Sequence, residues 1–274
     1  DTRFTYYTGQ SRGFHSTPCR KIMHHLRAGE NLALCTCRIV TNSVWQHALI
    51  ANRITEKGYI STQRSESSHV FPLYLYPPSE ELALATERSL NLSPVFLKAL
   101  SEQLGVPQTD RAGLPLGVSP ESILGYLYAI LHSPTYRARY AEFLKYDFPR
   151  IPLPRDLAQF RHLSVLGQKL IDVHLFRHVA TSPRHRFEGD GDAVVSKLRY
   201  EAGHIWINTT QYFTDVPLAV WAFEVGAYQV CEKWLRERRR QRLTAVEIVR
   251  YQQVLSAVEE TLRLMKEIDA IGAI

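Results

Sequence analysis

Two serine–proline steps, Ser93-Pro94 and Ser119-Pro120, fix where the middle of this 274-residue chain must enter helices. Serine at an N-cap satisfies an otherwise orphaned backbone N–H. Proline at the first helical position loses nothing, because its missing N–H has no partner there. Later prolines read as stops: Pro134 and the series Pro149, Pro152 and Pro154 are expected to end helical segments. Residues 108–117, rich in glycine and proline, are the expected hinge between an α+β part at 1–117 and a mainly helical part at 118–274.

Before the hinge the hydrophobic period changes. Residues 18–27 read as a short helix with Ile22, Met23 and Leu26 inward and Gly29 as its stop. Residues 31–40 (NLALCTCRIV) alternate with period two, the mark of a half-buried strand. Residues 45–50, 58–62 and 69–76 are further strand candidates, expected to join it in a mixed sheet, with polar, basic loops at 38–43 and 61–68. After the hinge, 155–177 reads as helix, 181–192 as a polar loop, and 193–208 as two strands turning near Glu201-Ala202-Gly203. A helix over 228–240 precedes a final helix opened by a capping box of Thr244 and Glu247. Ile248, Tyr251, Leu255, Val258, Leu262 and Met265 are expected to pack these two as an antiparallel pair. The fold class is α+β: an N-terminal mixed-sheet portion, then helices interrupted by a β-hairpin.

Composition narrows the function classes. No apolar run approaches the roughly 18 residues of a membrane span, and the polar start is not a signal peptide. A chain opening on Asp1 without methionine reads as part of a longer polypeptide. Its net charge of +6 suits a polyanionic partner. Four cysteines fit a reducing, cytoplasmic setting. Cys35 and Cys37 should share one sheet face as buried free thiols, with no second pair of zinc ligands at hand. His24 and His25 sit about 100° apart on a helix and cannot share one ion there. No nucleophile elbow and no phosphate loop occurs.

Residues 123–154 carry a more specific message. Tyr126, Ala129, Leu131, Ser133 and Pro134 form Tyr-x-x-Ala-x-Leu-x-Ser-Pro, followed by a basic, aromatic turn from Arg137 to Tyr140 and then Ile151-Pro152-Leu153-Pro154. This order resembles the segment after the methyltransferase domain in single-chain restriction-modification enzymes, the type ISP group and its type IIG relatives. The start, Asp1 to Tyr7, is similar to the tail of the Pro-Phe-Asp-x-Arg-x-x-Tyr passage that leads into the family's specificity region. Residues 71–77 (FPLYLYP), Trp206-Ile207-Asn208-x-x-Gln211-Tyr212-Phe213 and 226–235 (GAYQVCEKWL) match later blocks, so nearly the whole chain is covered in order.

The resemblance implies a target-recognition domain that binds a short, asymmetric duplex sequence. It would present that sequence to an adenine-N6 methyltransferase domain of the same polypeptide, which acts with S-adenosylmethionine, and with ATP and magnesium for the nuclease and translocation functions of the parent. None of that chemistry is in these residues. Adenine methylation needs Asn/Asp-Pro-Pro-aromatic around the flipped base; the one Pro-Pro here, Pro77-Pro78, is flanked by Tyr76 and Ser79. The chain itself is expected to hold no catalytic residue, cofactor or metal, and to act as a monomer.

Candidate base readers follow from side-chain chemistry. Gln63 suits adenine, Arg64 suits guanine, and Ser65 suits either bases or phosphates. Arg38, Asn42 and Arg53 on neighbouring loops or strand ends can join them, and Lys197 and Arg199 beside Asn208 form a second candidate group. Arg238, Arg239 and Arg240, in a run without interleaved Asn, suit phosphates. Two other readings stay open: an interaction module docking a protein through its last helices, and a divergent nucleic-acid-processing enzyme.

Overall fold

A computed structural model describes residues 19–27, 30–41, 44–56, 58–61, 66–77, 88–109 and 112–272. The chain opens on α1 (Arg20–Met23), which runs into a 3-10 turn over His24–Leu26. Strands β1 (Ala33–Cys37), β2 (Ala48–Ala51) and β3 (Ser68–Pro72) form one sheet in the order β2-β1-β3. Both neighbours run against β1, with Thr36 opposite Ala48 and His69. The sheet is therefore antiparallel and not the mixed one expected. Among the described residues no helical crossover joins these strands, and parallel neighbours need one. Cys35 and Cys37 are both free and buried in the core below the sheet, where burial pushes their thiols up to about 12.

Two other strand expectations change. Residues 58–60 are a turn: the Tyr59 N–H donates to Glu56 and the Ile60 N–H to the Ser68 hydroxyl, which leaves no ladder. The expected strand over 69–76 breaks at Leu73, whose N–H turns to the Leu32 carbonyl. Beyond the break, β4 (Tyr74–Leu75) pairs with β5 (Ser89–Leu90).

Helices α2 (Pro94–Leu104) and α3 (Pro120–His132) start at the two serine–proline steps, and Ser119 forms a reciprocal cap with Ser122. Pro134 does more than stop a segment. Ser133 closes α3 and caps α4 (Pro134–Arg139), its hydroxyl accepting the Tyr136 N–H at 3.1 Å, so proline ends one helix by beginning the next. After α5 (Leu157–His174) comes a four-stranded antiparallel sheet of β6 (Phe187–Glu188), β7 (Arg199–Glu201), β8 (His204–Trp206) and β9 (Tyr212–Phe213), in the order β6-β9-β8-β7. Its β7–β8 turn falls at Ala202-Gly203, both at positive φ, where the hairpin is expected. Then follow α6 (Leu218–Trp221), a hairpin of β10 (Glu224–Val225) and β11 (Tyr228–Gln229), α7 (Val230–Arg236) and α8 (Ala245–Ile271).

Within the 123–154 block, Tyr126, Tyr136 and Arg137 are scaffolding. Tyr126 donates its hydroxyl to the Pro152 carbonyl and Tyr136 to that of Arg150, so the proline-rich strap is tied down from two helices. Arg137 bends back to the Leu131 carbonyl at 2.7 Å, where a cation suits the C-terminal end of α3.

Among the described residues two large hydrophobic cores result, beside a small cluster of Met23, Leu26 and Ala33. Cys35, Ile50, Leu97, Tyr128, Leu163 and Ile171 belong to the first, so residues on both sides of position 117 share it. Val195, Ile205, Phe213, Leu235, Tyr251 and Leu255 belong to the second. The last helix serves both, giving Tyr251 to Val258 to the second core and Leu264 and Ile268 to the first. Its main neighbour is α5 and not the preceding helix. Gln159 at the start of α5 reaches Gly272, and His174 at its end meets Thr261. The expected antiparallel pair with the preceding helix is not clearly formed: α7 stops at Arg236, and its contact with α8 centres on Tyr251, which donates to the Cys231 carbonyl and meets the Trp234 ring. Arg238 folds back onto Trp234, and Arg240 takes φ +64 to donate its N–H to Val195.

Candidate nucleic-acid interface

Strand register decides which candidate residues can act together. Cys37 at the end of β1 lies opposite Ser68 at the start of β3, so the loop after β1 and the loop before β3 leave from one end of the sheet. Ala33 lies opposite Ala51, so exposed Arg53 sits beyond the other end. Asn42, Gln63, Arg64 and Ser65 lie outside the described residues. Arg38 is exposed and held: its Nε meets Asp147 at 3.3 Å, beside the Phe148 ring. The Val40 N–H donates to the Lys145 carbonyl. Phe143 and Tyr146 in this 143–148 segment are 76% and 73% exposed.

The roots of the two loops are joined by a buried carboxylate. Glu66 Oε1 accepts the Thr41 N–H and the Thr41 hydroxyl, each at 2.7 Å, and Oε2 faces His47 Nε2 at 3.1 Å. The side chains of His47 and Glu66 are 0% and 2% exposed. The Gln46 N–H donates to His47 Nδ1, which assigns the ring proton to Nε2, pointing at Glu66. Burial holds the His47 pKa below the usual histidine value despite the carboxylate. For Glu66, burial alone would raise the pKa, but the two Thr41 hydrogen bonds and His47 bring it below the usual carboxylate value.

A second contact reaches this place from the other core. The Gly226 N–H, at the tip of the β10–β11 hairpin, donates to the Gln46 carbonyl at 2.9 Å. Gly226 has φ +58, and a Cβ there would stand 2.2 Å from the Ile60 carbonyl oxygen. Sequence reasoning placed Thr41 and Glu66 in loops and His47 in a strand without linking them. The signal was one acid in a loop otherwise made of serines, threonine, glutamine and arginine, and nothing local says that it turns inward.

The second candidate group comes together on the C-terminal sheet. Val195 pairs through its backbone with Arg240 and Gln241, which brings the 195–199 segment beside the arginine run. Lys197, Arg239 and Arg240 are exposed, and among the described residues none of the three has an acidic partner. Arg199 lies over the Trp206 ring at 4.4 Å and near Glu201. Asn208 is engaged within its own turn, accepting from Gln211 and Thr210 and donating to the Val194 carbonyl. Arg238 is half-buried: it stacks on Trp234 at 3.6 Å and bonds Glu247 at 3.1 Å, so its geometry differs from that of its two neighbours. Trp206 and Tyr212 are half-buried, and their rings approach to 4.3 Å on the outer face of this sheet. Ile207 and Phe213 of the same block are buried in the core, unlike these two.

Solved structures share the fold over most of this chain. The DrdV–DNA complex, seen by cryo-electron microscopy, aligns with 89% of it at TM-score 0.66 and 20% identity. The ATP-dependent Type ISP restriction-modification enzyme LlaBIII bound to DNA aligns with 88% at 0.62 and 17% identity. A nuclease-deletion mutant of the Type ISP enzyme LlaGI with a DNA substrate mimic aligns with 88% at 0.58 and 19% identity. The chain spans 25%, 16% and 18% of those three chains, respectively. No curated protein matches it. Residues 1–267 match the family described as Type ISP C-terminal specificity domain, and with almost the whole sequence covered the chain belongs to that family.

Proposed function

We propose that this chain recognises a specific short, asymmetric sequence in double-stranded DNA and presents it to an adenine-N6 methyltransferase domain of one larger cytoplasmic restriction-modification polypeptide. The family match over residues 1–267 carries the reading. In the parent, S-adenosylmethionine would supply the methyl group, and ATP with magnesium would serve the translocation and nuclease functions. The chain itself would act as a monomer and contribute binding alone.

On this reading the sheet-end loops, with Arg38, Asn42, Gln63, Arg64 and Ser65, read base edges. Lys197, Arg199, Arg239 and Arg240 hold phosphates, while Arg53 serves a backbone contact on the far side. Equilibrium binding to labelled duplexes across a salt series tests it. DNA binding of this kind loses affinity log-linearly with salt and discriminates between sequences. Salt-independent affinity, or none, would favour a protein-docking module instead.

A further inference from the structure

Resting on that DNA-binding reading, we propose that Glu66 is a positioning residue for target specificity: its carboxylate fixes the roots of the two sheet-end loops, at Thr41, His47 and Glu66, relative to one another. Glu66 is separated from Thr41 by 25 residues and from His47 by 19, yet each carboxylate oxygen is committed, Oε1 to Thr41 and Oε2 to His47. Thr41 precedes residues 42–43 and Glu66 follows residues 62–65, so the bond joins one loop's departure to the other's return.

A buried carboxylate is a poor choice for stability alone, because well-packed apolar groups of similar volume do as well or better. Its distinctive property is direction. Two oxygens bonded to donors on two segments fix an angle and a distance, which an apolar contact does not. The surrounding contacts serve the same end. Ser68 accepts the Ile60 N–H across the base of the second loop, and the Gly226 hairpin presses on Gln46 and Ile60 from outside. Base edges are read by bidentate pairs with tight geometry, so loops whose roots are fixed discriminate better than loops whose roots can shift.

The test uses the intact polypeptide, wild type and Glu66→Gln, selecting from a library of randomised duplexes that is sequenced before and after binding. The glutamine side chain keeps the shape, but its amide cannot accept from both Thr41 and the His47 Nε2–H. The cognate-to-mismatch ratio should fall by about tenfold, comparable to one mismatched base pair, while affinity for unrelated duplex stays at the wild-type value. A merely structural role would lower both affinities together, and that result overturns the proposal, as does an unchanged ratio. Thr41→Val, which removes the hydroxyl that donates to Glu66, gives the answer if Glu66→Gln does not fold: a partial loss of discrimination is expected, and a wild-type ratio overturns the assignment. If wild type itself selects no sequence, the DNA-binding reading fails first. If wild type selects and both variants select equally well, only the role of Glu66 falls.

Discussion

Gly125 and Gly167 face one another where α3 crosses α5, and a Cβ on Gly167 would stand 1.8 Å from the Gly125 carbonyl oxygen. The reverse contact is also closed, since a Cβ on Gly125 would lie 2.5 Å from the Ser164 carbonyl oxygen. The two helices of the first core therefore touch backbone to backbone. In an exposed helix, alanine for glycine stabilises by about 1 kcal/mol. Here Gly167→Ala should instead destabilise by about 1–3 kcal/mol, because the added methyl must push the helices apart. Urea unfolding checks this, and a raised midpoint would mean that the crossing is looser than the distances say.

Gly226→Ala should loosen the docking of the β10–β11 hairpin on the sheet end. The substitution meets both a left-handed backbone and the Ile60 carbonyl. A cost of about 1–3 kcal/mol is expected, together with faster hydrogen exchange at the residue 226 amide. Exchange as slow as in wild type would show that the bond to Gln46 survives.

Acid should weaken the fold well before its carboxylates are protonated. Burial lowers the His174 pKa from 6.5 to about 4 and that of His132 well below 6.5, with Arg137 adding to both. His174 is neutral in its network: Tyr128 donates to Nδ1 at 2.6 Å, and Nε2 meets the Thr261 hydroxyl, which itself donates to Ala257. The unfolded chain therefore binds more protons than the folded one once pH drops below 6.5. The stabilisation is complete above that value and lost on acidification toward 4, by roughly 1.4 kcal/mol per pH unit for each such histidine. The urea midpoint should fall through this window, and His174→Gln should flatten the fall. A midpoint independent of pH between these limits would contradict the burial argument.

The arginine run should divide by role. Arg239→Gln with Arg240→Gln should leave the melting temperature unchanged and weaken binding to all duplexes alike. The log–log salt slope should shrink by about 0.9 for each phosphate that is no longer neutralised. Arg238→Gln should lower stability by about 1 kcal/mol, since it loses the stack on Trp234 and the bond to Glu247. Equal effects of all three on DNA affinity would show that Arg238 leaves its place when duplex binds.

What the sequence disclosed was local. The Ser119 cap, the Thr244–Glu247 capping box and the Ala202-Gly203 turn each depend on residues a few positions apart, and each forms where expected. Pro134 was half legible: its effect on the preceding helix is local, but its role in starting α4 depends on Ser133 serving two helices at once. The neighbour of the last helix was not legible, because the apolar seam of α8 says that it is buried and not against what. In the candidate interface, residue chemistry picked out the loops. The bond between Glu66 and Thr41 joins segments whose register is set by β1 and β3, and no short-range pattern announces such a bond.

The placement of α8 has a consequence for how the chain is made. A helix of 27 residues, about 40 Å long, closes the first core with Leu264 and Ile268, although the rest of that core is complete in sequence by Ile171. During synthesis at about 5–20 residues per second, the sheet and the crossing of α3 with α5 leave the ribosome several seconds before the helix that covers them. Through that interval the apolar flank of α5 stays open, exposed to whatever else in the cell binds unfinished chains.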